Sequence, residues 1–532
     1  AWLWAVDDVQ ITGDYVEGWD GSESSAWNLD ANWKDGSVPT AASNVVIAST
    51  ANQPIISAPL NDPALCNNLT INSGGLLTIA SGAAFTVNGT LTNLAGSSGL
   101  VIKSDGSIIH QTSSVPSTFE RSIPAWGPLA TQGWHMLSSP VSNQVFQPDF
   151  VSSPPAATED FYLWRESTNE WVNSKSGPVN GPWTFNSTDF GTAFTAGRGY
   201  LAAYNTTGIK SFVGNGTVAN VEFPLSYTSE AGRKGWNLCG NPFGSALQWD
   251  LETWMPENSL IAGVAKILVS ATGSYDDILA SELIPPLNGF FVHTDGSTNL
   301  LIPASARTHG GSWYKSSVNP QITLTAIDIQ GQTSQKCRIV QNPKSTTQFD
   351  RLYDGVFVKF YAPGFYAAQN DLKLSTSSIP LISNESSVEL GFEKNAGTEY
   401  EMVANGVKQF AEQVFLLDRK ENYRHNFSSD SVYAFSAGDG DLKERFLLYF
   451  GWVNTPENEL FMPEISVFDH SLFINNTQPC LVQVFDLTGK SILTKEITAF
   501  GSCKLNLPKN QAYYMLRFVF AKGVIVKKVL VL

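Results

Sequence analysis

The sequence predicts an all-β protein built from several domains. Short runs of β-branched and aromatic residues recur along the chain, and Gly, Asn, Pro or Asp separates them, which is the pattern of strands and turns. The composition agrees, because only 15% of the residues are charged, 12% are aromatic and 43 are Gly. A chain of 532 residues is also too long for one hydrophobic core. We therefore expect about three to five domains.

The first region, residues 1–118, combines a Trp-rich entry segment with short strands that recur every eight residues. In residues 69–71, 77–79 and 85–87 two apolar residues flank a polar one, and Gly residues mark the turns between them. Equal strands at a fixed spacing favour a short β-solenoid, with the Trp-rich segment as its cap. An ordinary β-meander is the alternative.

The next two regions, residues 119–226 and 227–316, are predicted to be copies of one β unit. Gly133-Trp134 is repeated 102 residues later as Gly235-Trp236, and Gly199-Tyr200 is repeated as Gly289-Phe290. We call the copies the first and second Gly-Trp units and expect them to pack side by side. Aromatic rings match the apolar faces of sugars, so some of their tryptophans are candidates for a sugar-binding face, although core packing is the commoner use. These tryptophans are Trp164, Trp171, Trp183 and Trp249.

The remaining chain divides into three segments. Residues 317–452 alternate polar and apolar positions with turn signals between them, which predicts a β-sandwich. Residues 453–463 contain Pro and acidic residues and are the predicted linker. Residues 464–532 consist of short β-branched and aromatic runs with Asn, Gly, Pro or Lys between them, which predicts an immunoglobulin-like β-sandwich.

This C-terminal module carries a recognisable set of residues. They are the turn Asp486, Leu487, Thr488, Gly489 and Lys490, the strand residue Tyr514, and the pair Lys527 and Lys528 near the end. On these residues the module resembles the type A C-terminal sorting domain of proteins exported by the type IX secretion system of Bacteroidota-type bacteria. One departure is Phe-Asp-His-Ser at residues 468–471, where that family usually has Asn-Pro after the first strand. An ordinary terminal β-sandwich is the alternative.

The resemblance implies a location and a partner. In that family the folded module is a signal read at the outer membrane, and it is commonly cleaved after export. We therefore expect an extracellular or cell-surface protein whose partner is the type IX secretion machinery. The chain begins without a basic segment, which we interpret as a mature form that has lost its signal peptide. No apolar stretch approaches the length of a transmembrane helix.

The cysteines and the remaining candidate sites give weaker signals. The five cysteines lie too far apart for a metal knuckle or a redox pair, but Cys480 and Cys503 are candidates for a disulfide; five buried thiols are the alternative. Ser431, within Asp430-Ser431-Val432, resembles the O-glycosylation acceptor of exported proteins in these bacteria. No two of the six histidines have metal-ligand spacing, and no nucleotide or hydrolase motif is present.

Two acidic pairs are weak candidates for catalysis or for calcium binding. Asp276-Asp277 and Asp439-Gly440-Asp441 resemble parts of a glycosidase or a calcium site, but acidic turns are common in β proteins. We expect neither a cofactor nor a metal. The net charge of −15 argues against a nucleic-acid partner.

The sequence therefore predicts a non-catalytic extracellular or cell-surface protein. Its β modules would bind glycans or cell-envelope proteins, as in an adhesin. A structural subunit that assembles with itself into a filament or sheath is the alternative, motivated by the ends of the solenoid and by the apolar residues 1–6. A carbohydrate-active enzyme is the third hypothesis.

Overall fold

A computed structural model describes most of the chain. The described residues are 16–127, 133–229, 235–310, 319–382, 386–450, 464–468, 471–476, 479–498, 501–508, 513–520 and 523–530. The predicted all-β class is confirmed, since 48% of the residues are in strands and 5% in helices. None of the helices in these residues has the length and apolar character needed to cross a bilayer.

The chain divides into two compact units. The first contains Ala1–Leu381, Val388–Phe410 and Ser429–Phe446, and the second contains Ile382–Ser387, Ala411–Ser428 and Leu447–Leu532. The predicted sandwich at 317–452 therefore contributes strands to both units, and the predicted linker at 453–463 lies outside the described residues. The domain boundaries stay predictions.

Ten short strands form the first region. They are β1 (Val16–Gly18), β2 (Asn44–Ile47), β3 (Ile55–Ile56), β4 (Ala64–Cys66), β5 (Leu69–Ile71), β6 (Leu77–Ile79), β7 (Ala84–Val87), β8 (Leu91–Asn93), β9 (Leu100–Ile102) and β10 (Ser107–Ile109). From β2 to β7, each strand pairs in parallel with the strand three places further along the chain, for example Leu69 with Leu91 and Leu77 with Leu100, while β1 pairs in parallel with β2. Successive strands thus occupy successive faces of a three-sided coil, which confirms the predicted β-solenoid.

Alternation along these strands fills the inside of the coil. The first and third residues of the Leu-Thr-Ile triplets, such as Leu69 and Ile71, are fully buried, while Thr70 between them is not. The Trp-rich segment packs on the same core: Trp27 meets Phe85 edge-on, with ring centroids 5.3 Å apart. Trp33 meets Trp27 and donates from its indole nitrogen to the carbonyl oxygen of Trp27 over 2.8 Å.

The first Gly-Trp unit follows the solenoid. Its strands are β11 (Pro116–Ile123), β12 (His135–Leu137), β13 (Glu159–Arg165), β14 (Glu170–Asn173), β15 (Lys175–Ser176), β16 (Thr184–Phe185), β17 (Tyr200–Tyr204) and β18 (Gly208–Asn215), with helix α1 (Ser187–Phe190) after β16. Four of them form a sheet in the order β12-β17-β13-β14. β11 pairs with β18 on one edge and with the solenoid strand β9 on the other.

The second Gly-Trp unit repeats this plan. Its strands are β19 (Val221–Leu225), β20 (Trp236–Gly240), β21 (Ala246–Gln248), β22 (Ala265–Val269), β23 (Ser274–Ile278), β24 (Leu283–Ile284), β25 (Gly289–His293), β26 (Thr298–Ile302) and β27 (Arg307–Thr308), with helix α2 (Leu251–Trp254). The sheet order β20-β25-β22-β23 and the pair β19-β26 match β12-β17-β13-β14 and the pair β11-β18. The predicted repeat thus appears as six equivalent strands in each unit.

The two Gly-Trp units meet through reciprocal backbone hydrogen bonds. The amide of Ser138 donates to the carbonyl of Leu287 over 3.0 Å, and the amide of Gly240 donates to that of Gly197 over 2.8 Å. These bonds join equivalent positions of the repeat, so an approximate twofold rotation relates the two units. Aromatic and aliphatic side chains from both four-stranded sheets pack together in one cluster.

The following strands are long and mostly antiparallel. They are β28 (Gln321–Asp328), β29 (Thr333–Gln341), β30 (Gly355–Val356), β31 (Gly364–Gln369), β32 (Leu372–Ile379), β33 (Ser387–Glu393), β34 (Glu399–Asn405), β35 (Val414–Asp418), β36 (Tyr423–Asn426), β37 (Val432–Ser436) and β38 (Phe446–Phe450), with helix α3 (Val407–Phe410). In the first unit the order is β33-β31-β32-β29-β28-β34-β37, and β30 pairs with β32. In the second unit β35 and β36 form a hairpin.

The C-terminal module has two sheets around one core. Its strands are β39 (Glu464–Phe468), β40 (Ser471–Asn476), β41 (Cys480–Phe485), β42 (Ser491–Ile497), β43 (Gly501–Asn506), β44 (Tyr513–Phe520) and β45 (Gly523–Leu530). One sheet has the order β39-β40-β43 and the other has the order β42-β41-β44-β45. Residues such as Val482, Leu505 and Phe518 fill the space between the sheets. This is the sandwich that the sequence predicts.

Candidate functional site

A groove of about 790 Å³ opens on the second Gly-Trp unit. Its floor is the outward face of the β19-β26 pair, where Glu222 lies opposite Leu301 and Pro224 lies opposite Asn299. Its wall is the loop of residues 254–260 that begins at the last residue of α2. The groove is thus built by a two-stranded sheet and one loop.

Local chemistry explains where α2 begins and ends. The side chain of Asp250 accepts hydrogen bonds from the amide of Thr253 over 3.2 Å and from its hydroxyl over 2.8 Å, which caps the helix. The helix ends at Trp254, and Pro256 two residues later cannot continue it. Trp254 therefore occupies a defined position where the helix becomes the loop.

A second tryptophan fixes the ring of Trp254. The two rings of Trp249 and Trp254 meet edge-on, with centroids 5.0 Å apart and an interplanar angle of 75°. Trp249 is fully buried, and its indole nitrogen donates to the carbonyl of Gly263 over 2.7 Å. Trp254 itself is only partly buried and lines the groove. The protein therefore presents an indole ring at the surface on a rigid support.

The rest of the wall is held by backbone and side-chain hydrogen bonds. The Asn258 side-chain oxygen accepts from the amides of Leu260 and Ile261 over 3.2 and 3.3 Å. The Leu301 amide in the floor points to the sulfur of Met255 in the wall, 3.5 Å away. These contacts join the wall to the floor, so little ordering remains when a ligand binds.

The groove combines one aromatic ring with exposed hydrogen-bonding groups. Glu222, Glu257 and Asn299 line it and are exposed, and Trp254 supplies the apolar surface. Carboxylates and amides bind hydroxyl groups, while an indole ring covers the apolar face of a pyranose. Two carboxylates also repel anions. The groove therefore fits a neutral or cationic sugar better than a phosphate or an acidic sugar.

The four tryptophans considered for a sugar-binding face do not form one. Trp249 is fully buried, and the rings of Trp164 and Trp171 lie against Phe291 with centroids 5.4 and 5.9 Å away. Trp183 is partly buried on the β15-β16 hairpin, with the amine of Lys175 5.0 Å from its ring centre. Sequence reasoning missed Trp254, whose signal is a tryptophan directly before Met255-Pro256 in a polar loop.

The predicted sorting turn is a tight hairpin in the structure. One carboxylate oxygen of Asp486 accepts from the amide and the hydroxyl of Thr488 and from the amide of Lys490, over 2.9, 2.6 and 2.9 Å. These bonds, with the Thr488 side chain first, hold the pKa of Asp486 below its usual value. Gly489 has φ of +85°, where glycine is favoured. Asp486, Thr488 and Gly489 thus build the turn, which exposes Leu487 and Lys490.

The other predicted sorting residues lie apart from one another. Tyr514 is fully buried between the two sheets and donates from its hydroxyl to the carbonyl of Pro508. Lys527 and Lys528 are neighbours on β45, so their side chains leave opposite faces of that strand. Lys528 is exposed, with its amine 4.4 Å from the ring centre of Tyr513. Tyr514 is therefore a packing residue, whereas Lys528 is at the surface.

The structure does not contain the candidate disulfide. All five cysteines are buried free thiols, among them Cys480 on β41 and Cys503 on β43, in different sheets. Burial raises the pKa of Cys66 to about 12, and burial followed by the neighbouring Cys503 raises that of Cys480. The thiols pack as small apolar groups in the cores.

Ser431, the candidate glycosylation residue, is exposed directly before β37. Its carbonyl accepts from the amide of Ala404 over 2.8 Å, and the side chain of Asp430 accepts from the amide of Val432 over 3.1 Å. The backbone around Ser431 is therefore fixed while its side chain faces outward. Its modification stays a prediction.

Both acidic pairs are engaged in ion pairs within the protein. Asp276 pairs with Lys336 over 2.5 Å, and Asp439 pairs with Lys394 over 3.1 Å. Asp441 accepts from the amide of Gly438 over 3.0 Å. Across the part of the chain that the structure describes, no group of three or more His, Cys, Asp or Glu side chains could hold a metal ion.

The structure contains a buried ion pair that the sequence does not reveal. Lys266 and Asp277 lie opposite each other on β22 and β23, are almost fully buried and contact each other directly. The hydroxyls of Ser375 and Thr376 donate to the other oxygen of Asp277, each over 2.7 Å. This network joins the second Gly-Trp unit to β32, which identifies Asp277 as a structural residue.

Three histidines lie in poorly solvated positions, His110 buried and His135 and His309 partly buried. Burial lowers the pKa of His110, His135 and His309 to about 4 in each case. The nearby Arg307 further lowers that of His110 and donates to its carbonyl oxygen over 2.7 Å. The two ring nitrogens of His309 lie 2.7 and 2.8 Å from the hydroxyls of Thr86 and Ser107 in the solenoid. These histidines are packed as neutral groups.

Comparison with known proteins gives one family and one described neighbour. A family model described as a domain of unknown function, DUF8693, matches residues 18–276 and 265–450. No curated protein matches the chain. Among the solved structures is a chain described as "Biofilm associated protein - BSP domain", with 11% identity, covering 79% of this chain and 96% of that chain. Its TM-score of 0.14 is too low to support an argument about fold or role.

Proposed function

The chain belongs to the family of the domain of unknown function DUF8693, which assigns no activity, and from this premise we propose that it is an exported, non-catalytic cell-surface protein that binds a glycan. The binding site is the groove on the second Gly-Trp unit. Export depends on the C-terminal module, which acts as a type IX sorting domain at the outer membrane.

The observation that carries the binding role is the position of Trp254. Its ring is partly exposed, stands on the fully buried Trp249, and lines a groove together with Glu222, Glu257 and Asn299. A fixed aromatic ring beside exposed amide and carboxylate groups is the arrangement that recognises a pyranose. The acidic side chains favour neutral sugars or amino sugars.

Two observations support a non-catalytic role. Asp276 and Asp277 are both held in ion pairs, and Asp277 is almost fully buried, so neither is positioned to act on a bound substrate. Asp439 and Asp441 are likewise paired with Lys394 and Arg445. A carboxyl pair that hydrolyses a glycosidic bond must reach the sugar from both sides.

The binding role is tested on a glycan array with the purified chain. Trp254→Ala and Asn299→Ala should each reduce binding by about tenfold or more, because they remove the stacking ring and an exposed amide. Trp183→Ala, which removes a partly exposed tryptophan from the β15-β16 hairpin of the first Gly-Trp unit, should bind as the wild type does. Circular dichroism checks that each variant is folded. If Asn299→Ala bound every glycan on the array as well as the wild type does, the assignment of the groove would be contradicted.

The export role is tested in cells that make the full chain. Deletion of residues 464–532 should abolish the surface-exposed protein and leave it in the periplasm. Protease accessibility on intact cells measures the exposed fraction. A wild-type surface yield from the deletion variant would contradict the sorting role, whatever the glycan array shows.

A further inference from the structure

The C-terminal module differs in charge from the rest of the chain. Residues 464–532 contain eight Lys or Arg and four Asp or Glu, a net charge of +4, whereas the whole chain has a net charge of −15. A basic module at the end of an acidic chain is attracted to anionic surfaces that repel the remainder. The location of these cations on the fold therefore matters.

The outward face of the sheet β42-β41-β44-β45 consists of cross-strand rows. Glu496, Leu481, Val519 and Val524 form one row; Thr494, Gln483, Arg517 and Val526 form the next; Phe485, Met515 and Lys528 form the third; and Tyr513 lies beside Leu530. The alternate residues of the same strands, such as Val482, Leu516 and Val529, fill the core. The rows therefore form one continuous surface of the module.

This surface exposes apolar side chains. Val524 is 44% exposed, Val526 is 56% exposed and Leu530 is 43% exposed. Leu487, at the tip of the turn after β41, is 61% exposed. Apolar residues grouped on one exposed face, rather than scattered singly, indicate an interaction site.

Cations stand among these apolar residues. Arg517 occupies the middle of the second row, where its guanidinium donates to the side-chain oxygen of Gln483 over 3.3 Å. Lys528 lies beside Met515, with its amine 4.4 Å from the ring centre of Tyr513. Aliphatic side chains with Lys, Arg and Tyr around them are typical of protein surfaces that enter the headgroup region of an anionic bilayer.

From this arrangement we propose that the outward face of β42-β41-β44-β45 docks on an anionic lipid surface, with Arg517 and Lys528 on the headgroups and Val524, Val526 and Leu530 at the acyl boundary. The face is the side of a sheet, which suits a bilayer plane. Addition of a peptide strand to the edge of β45 is opposed by Lys527 and Lys528, because lysines on an edge strand discourage pairing. This lipid contact rests on the sorting role proposed above for the module and adds an anionic lipid as its partner.

Vesicle sedimentation with the purified full chain tests this. The chain should bind vesicles that contain about one-third phosphatidylglycerol and should not bind pure phosphatidylcholine. Lys528→Glu and Arg517→Glu should each lower the partition coefficient at least about fivefold, since one basic residue near such a surface contributes about that factor. Val526→Ser should lower it as well, because the contact is partly apolar.

Lys504→Glu is the matched control. Lys504 is exposed on the other sheet of the module, and its amine lies 5.3 Å from the ring centre of Phe473. Lys504→Glu therefore makes the same change in charge beside an aromatic ring as Lys528→Glu does. It should bind nearly as the wild type does. An equal loss in Lys504→Glu and Lys528→Glu would overturn the proposal, since net charge alone would then explain binding.

Two further outcomes would also overturn it. One is the absence of sedimentation with anionic vesicles. The other is face-dependent binding to an acidic protein without any vesicle binding, which would assign the same surface to a protein partner. The test uses purified protein and lipid, so its failure is separate from a failure of export in cells.

Discussion

Gly199 and Cys239 meet at the junction of the two Gly-Trp units, closer than any larger side chain permits. A Cβ atom on Gly199 would lie 2.4 Å from the carbonyl oxygen of Cys239 and 2.8 Å from the side chain of Leu238. The amide of Gly199 also donates to the carbonyl of Leu238 over 3.0 Å. The backbones therefore approach closely because this residue has no side chain.

Gly199→Ala should lower the free energy of unfolding by about 1–3 kcal/mol, because the backbone of Cys239 and the side chain of Leu238 must move away from the new methyl group. Gly208→Ala is the control, since a Cβ atom there meets nothing within 4 Å. It should change the stability by less than about 0.5 kcal/mol. Chemical denaturation followed by tryptophan fluorescence measures both. A small effect of Gly199→Ala would mean that the units separate easily.

Stability should fall as the pH is lowered through the titration of His110. Its pKa is about 4 in the folded protein and 6.5 ordinarily, so the unfolded chain takes up the proton first. The stability that a neutral, buried His110 contributes is therefore complete above about pH 6.5. As the pH falls from about 6.5 to 4 this stability is lost, up to about 3 kcal/mol. His110→Gln should reduce the loss between about pH 7 and 4.5, measured by urea denaturation. An unchanged pH profile would contradict the burial of a neutral His110.

The buried pair Lys266 and Asp277 should depend on both partners. Lys266→Met leaves the carboxylate of Asp277 buried without its cation and should cost about 3–5 kcal/mol of stability. The double variant Lys266→Met with Asp277→Leu should cost less than Lys266→Met alone, because no charge then remains buried. Denaturation of the wild type, of the single variants Lys266→Met and Asp277→Leu, and of the double variant completes the cycle. A double variant that is less stable than either single variant would show that the hydroxyl contacts of Ser375 and Thr376 dominate.

The turn at Asp486 should tolerate Asn but not Ala. All three hydrogen bonds are accepted by one oxygen of Asp486, and an amide oxygen can take its place. Asp486→Ala should open the turn and speed proteolytic cleavage near residues 486–490, whereas Asp486→Asn should be cleaved as slowly as the wild type. Leu487→Ser, at the exposed tip, is the control. Equal cleavage of the Ala and Asn variants would contradict this role of the oxygen.

The thiols should be unreactive until the protein unfolds. The structure has five buried free cysteines, so a thiol reagent should detect none in the native protein and five in denaturant. Detection of three thiols in denaturant without reductant would indicate that two cysteines form a disulfide, for which Cys480 and Cys503 are the candidates in the sequence. Mass spectrometry of alkylated peptides would identify them.

Local patterns were sufficient to predict the strands of the solenoid but not their partners. The spacing between Leu69 and Leu77 is the step from one face of the coil to the next, whereas the strand that pairs with Leu69 begins at Leu91. The repeat of Gly199 as Gly289 was visible in the sequence, but the sequence did not show that the space at the two positions differs, since only Gly199 lies against backbone too close for a Cβ atom. A Cβ atom on Gly289 would lie 3.4 Å from the Cα atom of Gly199.

The groove could not be predicted in the same way, because its parts are distant in sequence. Glu222 and Asn299 become neighbours of Trp254 only when β19 pairs with β26. The buried partners of Asp277 are likewise remote, since Ser375 is 98 residues away. Sequence patterns report neighbours within one strand or turn, whereas these sites depend on tertiary pairing. Of the sorting residues, the turn was predicted as a turn, but the burial of Tyr514 depends on the second sheet.

The two Gly-Trp units differ in how freely their sequences can change. In the first copy β11 lies between β18 and the solenoid strand β9, so a change on it disturbs two neighbours. In the second copy the equivalent strand β19 pairs with β26, and the outward face of that pair is the floor of the groove. A duplicated ancestor could thus keep one copy as a scaffold while the other diverged. New ligand specificities would then be expected to accumulate in residues 254–260 of related chains, with the first copy nearly unchanged.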